Sequence, residues 1–581
     1  LKPAASQRVR RTTSRRRFTA RVAHGMAPSY YDVEASSVLK FLQGTDDDKA
    51  QGLAQLAEIG GCGIVSLGLE AQVGALLKDD SDEVQLQAIE TVGAMGELGL
   101  DFAGELVEFL ANADESKRLC AINALSMMGH HAKRYCQDIA KRLSDSSSPV
   151  RAAAALAIGS IGALDFVKDV AACVGDRHCE VVEAALKALT MLEHSSAGKH
   201  ADAVAKKLAD PNREIRIAAL RYFAKFEEQV PPHVDAVCKL LTDEDTIVRH
   251  EVSGVFAALS SKHAVMVEGA AKVLEHSEPR FRAAAALAIG CTKSHGKAKA
   301  IDISKLLDDT SEDRSQLVNC IAGIEVKAPS SARIPACAAM RALVMMEEKA
   351  FAPTIEKLLS PANSQDVRSM AASSLGDLGG DFSAALILVL DAREAQVRAN
   401  AATALGKLQI GKTATEEVVD KLAEKLVDQS PIVRAAAAEA LGCTGDEGAA
   451  YTEALLQLLT DRSTNVRVAA IMAFARVGVK GELYAAEVAR RISEKAQESG
   501  EVKVACVRAL AAMGARGAAF ADEVALLAAD PDASVRVAAL QALAAMGAEA
   551  MDHFVVAAAT AKSDSLEEVR ETAEKLLAAS S

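Results

Sequence analysis

The chain has 581 residues, more than a single compact core accommodates, so it holds several domains or an extended repeat array. Half of it is apolar, yet only 3% is aromatic and Trp is absent, which leaves mostly Ala, Leu and Val and suits closely spaced helices. The net charge of −13, with no basic stripe carrying interleaved aromatics, argues against nucleic acid as a ligand, and no apolar run reaches the length of a membrane span.

Residues 1–31 are basic, with Lys2, Arg8, Arg10, Arg11, Arg15, Arg16, Arg17 and Arg21 and no acid, and are expected to be disordered. Setting those eight cations aside leaves the remainder at −21. Two readings of this segment are open: an organelle transit peptide, or translated leader ahead of Met26. The expected compartment is the cytoplasm, with the mitochondrion or plastid as the alternative if the segment is a transit peptide. The eleven Cys form no CxxC pair and there is no Asn-x-Ser/Thr acceptor, which fits a reducing intracellular setting.

From Glu34 onward one unit recurs: an Asp, four variable residues, Val-Arg, then an Ala/Leu-rich run closing near a Gly. Clear copies are 145–162, 461–478 and 530–547. With the Arg position as marker, the series is Lys49, Gln85, Arg118, Arg151, Val182, Arg216, Arg249, Arg282, Arg314, Ala336, Arg368, Arg398, Arg434, Arg467, Lys503, Arg536 and Arg570. These are about seventeen units at 30 to 36 residues, apart from one interval of 22. Val535, Ala539, Ala542, Leu543 and Met546 fall at helical spacing, and a second helix precedes each marker, as at Leu455–Leu459 and Val524–Leu527. Each unit therefore reads as a helical hairpin. Asp210-Pro211, Ser430-Pro431 and Asp530-Pro531 are expected to open inner helices. Gly60, Gly96, Gly129, Gly162, Gly379, Gly445, Gly478, Gly514 and Gly547, eleven residues past the marker, are expected to end them.

Eight residues past the marker stand small side chains, including Gly93, Ser126, Gly159, Thr190, Gly290, Gly376, Gly406, Gly442 and Ala544. They let neighbouring inner helices approach to about 8 Å, so that hairpins stack into one all-α superhelix.

On these features the chain resembles the HEAT-repeat family, in particular its short-repeat branch related to phycobilisome lyases. The resemblance spans nearly all of 34–578 and implies an α-solenoid with a hydrogen-bonded ladder between an Asp in the hairpin turn and an Arg or Lys six residues later. The matching positions are Asp145/Arg151, Asp210/Arg216, Asp243/Arg249, Asp308/Arg314, Asp428/Arg434, Asp461/Arg467, Asp530/Arg536 and Asp564/Arg570.

The copies from Val182 to Ala336 depart from the pattern. Glu193, Glu227, Ser260, Lys293, Glu325 and Glu347 replace the closing Gly, and the short interval contains Lys327-Ala-Pro-Ser-Ser-Ala-Arg-Ile-Pro335. An outer helix is expected to be missing there, giving a hinge at 326–335 between one array at 32–325 and a second at 336–581.

Gly406-Lys-Leu-Gln-Ile-Gly411-Lys412-Thr413 fits the GxxxxGK[ST] phosphate-loop string, but phosphate binding needs a strand before the loop, and here the spacing predicts helices on both sides. His250-Glu251 is the sole His-Glu pair, whereas the di-iron site of the HEAT-repeat deoxyhypusine hydroxylases needs several. His178, His194, His200, His233, His250, His263, His276 and His295 occupy different phases of the repeat and read as solvated loop residues, with no metal site expected. No nucleophile falls beside a base, so no catalytic residue and no cofactor is expected.

What remains is a surface. Five residues past the marker the side chain faces away from the packing seam, and its occupants are mixed: Glu90, Asn123, Lys187, Arg221, Asn319, Arg341, Ser373, Thr403, Glu439, Met472, Arg508 and Gln541. Variation along such a concave ridge suits partner recognition. The expected function is a non-catalytic scaffold for protein partners, in particular basic segments given the acidic body. The alternative is a HEAT-repeat enzyme of the bilin-lyase or deoxyhypusine-hydroxylase (oxidoreductase) kind.

Overall fold

The computed structural model describes residues 35–581 except 193–198, 260–262, 313–318, 322–323, 327–332, 494–495, 563, 565 and 581; for 35–37, 263, 319–321, 324–326, 567 and 580 it describes backbone only. The basic segment, Arg314 and most of the expected hinge thus lie outside the described residues. Among the described residues sixteen inner helices follow one another, from Asp46–Leu67 to Glu567–Ser580. Each packs on the inner helices before and after it, and on the short outer helix of its own hairpin.

Local chemistry explains where each inner helix begins and ends. Thr45 forms a reciprocal capping box with Asp48, and Asp114, Asn212, Asp245, Ser364 and Asp532 each accept a backbone N–H of the first turn. Ser430 with Pro431 opens its helix as expected. Asp210-Pro211 and Asp530-Pro531 instead stand two residues upstream of the caps Asn212 and Asp532, where the Asp oxygen accepts the N–H two residues on and so builds the turn. All nine closing glycines adopt φ between 57° and 74°. At two departures from the pattern the same left-handed turn is imposed on Lys293 (φ 52°) and Glu347 (φ 57°), which carry a Cβ in a region that disfavours one.

The seam between inner helices is set by close backbone approach. A Cβ on Gly93, Gly159, Gly290, Gly376, Gly406 or Gly442 would lie 2.6–2.9 Å from the Cα of Ala124, Ala188, Ala342, Ala404, Ala440 or Ala473 respectively. Every partner is the alanine six residues past the marker of the following helix. Small residue thus meets small residue across the seam, and Leu and Ile flank it: Leu375, Leu405, Leu441 and Ile471 are fully buried.

The Arg/Asp ladder spans the hairpin turns. Arg151 illustrates a rung: Nη1 donates to the carbonyls of Asp145 (2.8 Å) and Ser146 (3.3 Å) in its own turn, while Nε and Nη2 donate to the Asp176 carboxylate of the next. The same arrangement links Arg118 to Asp145, Arg216 to Asp243, Arg282 to Asp309, Arg398 to Asp428, Arg434 to Asp461 and Arg536 to Asp564, and Glu498 takes the acid's place opposite Arg467. Side-chain pairing therefore runs from one repeat to the next, and the six-residue partner supplies its main-chain oxygen. Asp309, not Asp308, holds the rung. Asp308 lies in the preceding 3-10 turn and is exposed, because the outer helix here ends one residue later than the pattern suggests.

Between Asp309 and Ile334 the structure differs most from expectation. The outer helix Ala300–Lys305 is present and packs on the inner helix Pro335–Met345, so no outer helix is missing. The extra chain is an insertion in the hairpin turn, closed at its base by Ala336 N donating to Asp309 O at 3.0 Å. It includes the sole strand pair among the described residues, with Asn319 opposite Val326 and Ile321 opposite Ile324. Strands 319–321 and 324–326 stand where the marker series places an inner helix, and Pro279–Cys291 stacks directly on Pro335–Met345 through Gly290 and Ala342. In this repeat Arg333, buried at the base of the insertion, pairs with Asp366 at 3.1 Å and with Glu312.

Three expectations follow. Gly376→Val should lower stability by about 1–3 kcal/mol in urea denaturation, because the new side chain meets backbone that cannot yield. Lys293→Gly and Glu347→Gly should each raise it by up to about 1 kcal/mol by relieving the left-handed strain. Asp145, Asp176, Asp428 and Asp461 are held below the usual carboxylate range, Asp176 and Asp461 chiefly by hydrogen bonds from Arg151 and Arg434, and Asp145 and Asp428 by such bonds from Arg118 and Arg398 overcoming their burial. Their unfolded forms bind protons first, so the rungs stabilise the stack above about pH 4 and lose that contribution as pH falls further. Asp461→Asn should flatten this acid limb of a pH–stability profile; an unchanged limb would remove the rung from the account.

Candidate functional site

The inner helices bury one side in the seam and one against the outer helices, which leaves a third side for solvent. On it stand Glu90, Asn123, Lys187, Arg221, Arg341, Glu439, Arg508 and Gln541, all exposed, with Ser373, Thr403 and Met472 half-buried. Asn319 is not part of this row: its backbone belongs to the first strand of the insertion.

Clefts open along the face, three of them between described helices. One of roughly 360 Å³ lies between Cys179–Met191 and Arg213–Lys225, where Lys187, Arg221 and Lys225 face Glu183 and Glu214. A second of roughly 480 Å³ spans Pro335–Met345, Gln365–Leu378 and Ala395–Gln409 around Arg341. The third, of roughly 500 Å³, joins Thr403 and Lys407 to Glu439 and Arg476. Most charges here are held by neighbours: Arg221 by Glu251 at 2.6 Å, Lys187 by Glu183 at 2.6 Å, Lys407 by Asp377 at 2.6 Å and Arg476 by Glu439 at 3.7 Å. Arg341 and Arg508 meet no carboxylate at ion-pair distance among the described residues.

The motifs with chemical overtones resolve structurally. Gly406 is a seam residue inside the helix Ala395–Gln409, and Leu386–Val389 is helical, so no phosphate loop forms. Glu251 of the His-Glu pair accepts from Arg221, and no group of three His, Cys, Asp or Glu among the described residues could hold a metal ion. Three of the histidines do structural work rather than sitting free in loops. His178 meets Arg151 and Asp176, His276 accepts the Glu278 N–H in the place other turns give to Asp, and His233 pairs with Asp202 at 3.3 Å. The side chains of His194 and His263 lie outside the described residues. On the face itself, burial pushes the Cys120 thiol up to about 11, which disfavours its thiolate at neutral pH.

The sequence reading missed a second ladder, in the outer layer. Tyr451 donates to Asp420 at 2.6 Å and Tyr484 to Glu453 at 2.8 Å, while His233 meets Asp202 and His553 meets Asp522 at 3.1 Å, each pair 31 residues apart. The signal was an aromatic or His seventeen residues past the marker, obscured because Tyr, Phe and His alternate there.

Residues 383–473 match the family model described as HEAT repeats, and 137–154 match that of a HEAT repeat associated with sister chromatid cohesion. No curated protein sequence matches. Solved structures similar to the chain include Kap121p bound to Ste12p (TM-score 0.63, 12% identity, 95% of this chain and 69% of that one) and the Kap95:Nup1 complex (0.69, 12%, 94% and 83%). Yeast importin-β (Kap95p) is a third (0.62, 12%, 94% and 80%). At such identities the likeness is one of fold. The link to the phycobilisome-lyase branch rests on sequence alone. Hairpin geometry and these matches together show an all-α solenoid fold, with HEAT repeats matched in sequence at 383–473.

Proposed function

We propose that the chain is a non-catalytic scaffold that binds protein partners along its inner-helix face. One contrast carries this reading. The seam takes small side chains at a fixed position in most repeats, whereas three residues earlier in the repeat stand Glu90, Asn123, Lys187, Arg221, Arg341, Glu439, Arg508 and Gln541, exposed and in part flanked by open clefts. A row that is exposed and polar in eight of the repeats offers a long surface for polypeptide rather than an enclosed pocket. The similar solved structures include a Kap121p bound to Ste12p and a Kap95 complexed with Nup1, which supports protein binding on this architecture.

Charge favours basic partner segments at one end. Residues 35–116 hold sixteen Asp and Glu against three Lys and no Arg, a concentration that would steer cationic polypeptide towards the first repeats.

Partners captured by affinity purification and joined with a lysine-reactive cross-linker should attach at Lys187, Lys225 and Lys407 on the inner-helix face, and not at the exposed Lys141 and Lys305 of the outer helices. Charge reversal at Arg221 together with Arg341 should weaken capture by about tenfold with helix content unchanged, since the Arg221–Glu251 pair is exposed and worth about 0.2–1 kcal/mol to the fold. Attachment at the outer lysines alone would overturn the proposal.

A further inference from the structure

The groove around Arg341 differs in its charge from its neighbours on the face. Its two carboxylates are already engaged, Asp366 by Arg333 at 3.1 Å and Asp377 by Lys407 at 2.6 Å. The guanidinium of Arg341 is exposed and has no such partner among the described residues, so of the charged side chains lining the groove it is the one without an ion-pair partner there. Met345 and Met370 supply apolar, adaptable surface beside it.

The opposite wall is polar and prearranged. Asn400 Nδ2 donates to the Ser369 carbonyl at 3.0 Å and its Oδ1 accepts from Gln396 Nε2 at 2.9 Å, which fixes both amides. Ser369 lines the groove and is 8% exposed as a residue, and its buried hydroxyl has no hydrogen-bond partner among the described residues. A buried hydroxyl left unpaired is unfavourable, and an occupant that supplies a polar atom after a small adjustment removes that cost. Ser373 adds a second hydroxyl on the next turn of the same helix.

Dimensions select the class of occupant. The groove crosses three successive inner helices, a span of about 20 Å at the usual interhelical spacing of about 8–10 Å. An extended peptide covers that span with about six residues at about 3.3 Å each. A free dicarboxylate would fill one end only, and a basic peptide would place its cations against Arg341. Alternate side chains of an extended peptide face the same way, so one that sets an acid on Arg341 directs the side chain two residues away along the same wall, towards the methionines.

We propose that this groove binds an extended segment of a partner protein carrying an acidic residue with an apolar residue two positions away. The carboxylate pairs with Arg341, the apolar side chain rests on Met345 and Met370, and the peptide main chain takes the hydrogen-bonding groups of Ser369, Ser373 and Gln396. The inference rests on the inner-helix face being a binding surface, and names the chemistry of one stretch of it.

The test uses the full chain and a library of random dodecapeptides, with the wild type, Arg341→Glu, Arg341→Lys, Asn400→Ala and Arg221→Glu compared by enrichment and by titration of the enriched peptides. Enriched peptides should share Asp or Glu with an apolar residue two positions away. Their affinity should fall at least tenfold in Arg341→Glu, less in Arg341→Lys and several-fold in Asn400→Ala. Enrichment of basic peptides, enrichment without an acid, no enrichment, or affinity unchanged in Arg341→Glu would each overturn it. Loss in Arg221→Glu with retention in Arg341→Glu would remove this groove while leaving the face as a binding surface. Cross-links confined to the outer helices would remove both. Arg341 is exposed, and circular dichroism of Arg341→Glu matching the wild type separates lost binding from lost fold.

Discussion

Six contacts of one kind set the distance between consecutive inner helices: a glycine eight residues past the marker against the Cα of an alanine six residues past the next marker. With no Cβ on one side and a methyl on the other, backbones approach until the flanking Leu and Ile side chains interlock. A lone hairpin has no surface on which to bury that stripe, so the contact makes each repeat dependent on the next. The ridge of varied side chains exists because the seam takes the opposite demands. What packing fixes on one side of the helix, it leaves free on the other.

The Arg/Asp ladder acts on orientation rather than distance. Each carboxylate accepts an N–H of its own turn and the guanidinium of the preceding repeat, and that guanidinium also holds two carbonyls of its own turn. Turn shape and stacking direction are thereby tied through one side chain. The outer Tyr and His pairs do the same at the far side of the hairpin, so both edges of the stack carry polar links around an aliphatic centre. Where the regular rung is interrupted, at the insertion after Asp309, Arg333 reaches Asp366 from a different position in the repeat and the seam continues through Gly290 and Ala342.

The features legible in the sequence were those that allow few residue types. Left-handed closing turns favour glycine, close backbone approach demands a small residue, and a cationic donor reaching the next turn calls for Arg or Lys, so period, seam and ladder could be read from letters alone. Features with several chemical solutions were obscured. His276 does the work of an Asp, Lys293 and Glu347 adopt a glycine conformation, and Tyr and His exchange in the outer ladder. Asp308 and Asp309 are adjacent acids, and only the end of the outer helix decides which of them reaches Arg282. The 22-residue interval was counted as a shortened repeat because spacing does not distinguish a lost helix from a turn enlarged by a strand pair. The binding face was legible as a position in the repeat. The groove around Arg341 was not, since it depends on which neighbouring carboxylates are already engaged.

If the sixteen described inner helices form one continuous stack, joined at six junctions by the glycine–alanine seam, the chain cannot gather into a ball. A compact domain of 581 residues has a radius of gyration of about 25 Å. Small-angle X-ray scattering of the monomer should give a clearly larger radius and the long-tailed distance distribution of an extended body. A radius near 25 Å with a symmetric distance distribution would contradict the stack and with it the face on which binding is proposed.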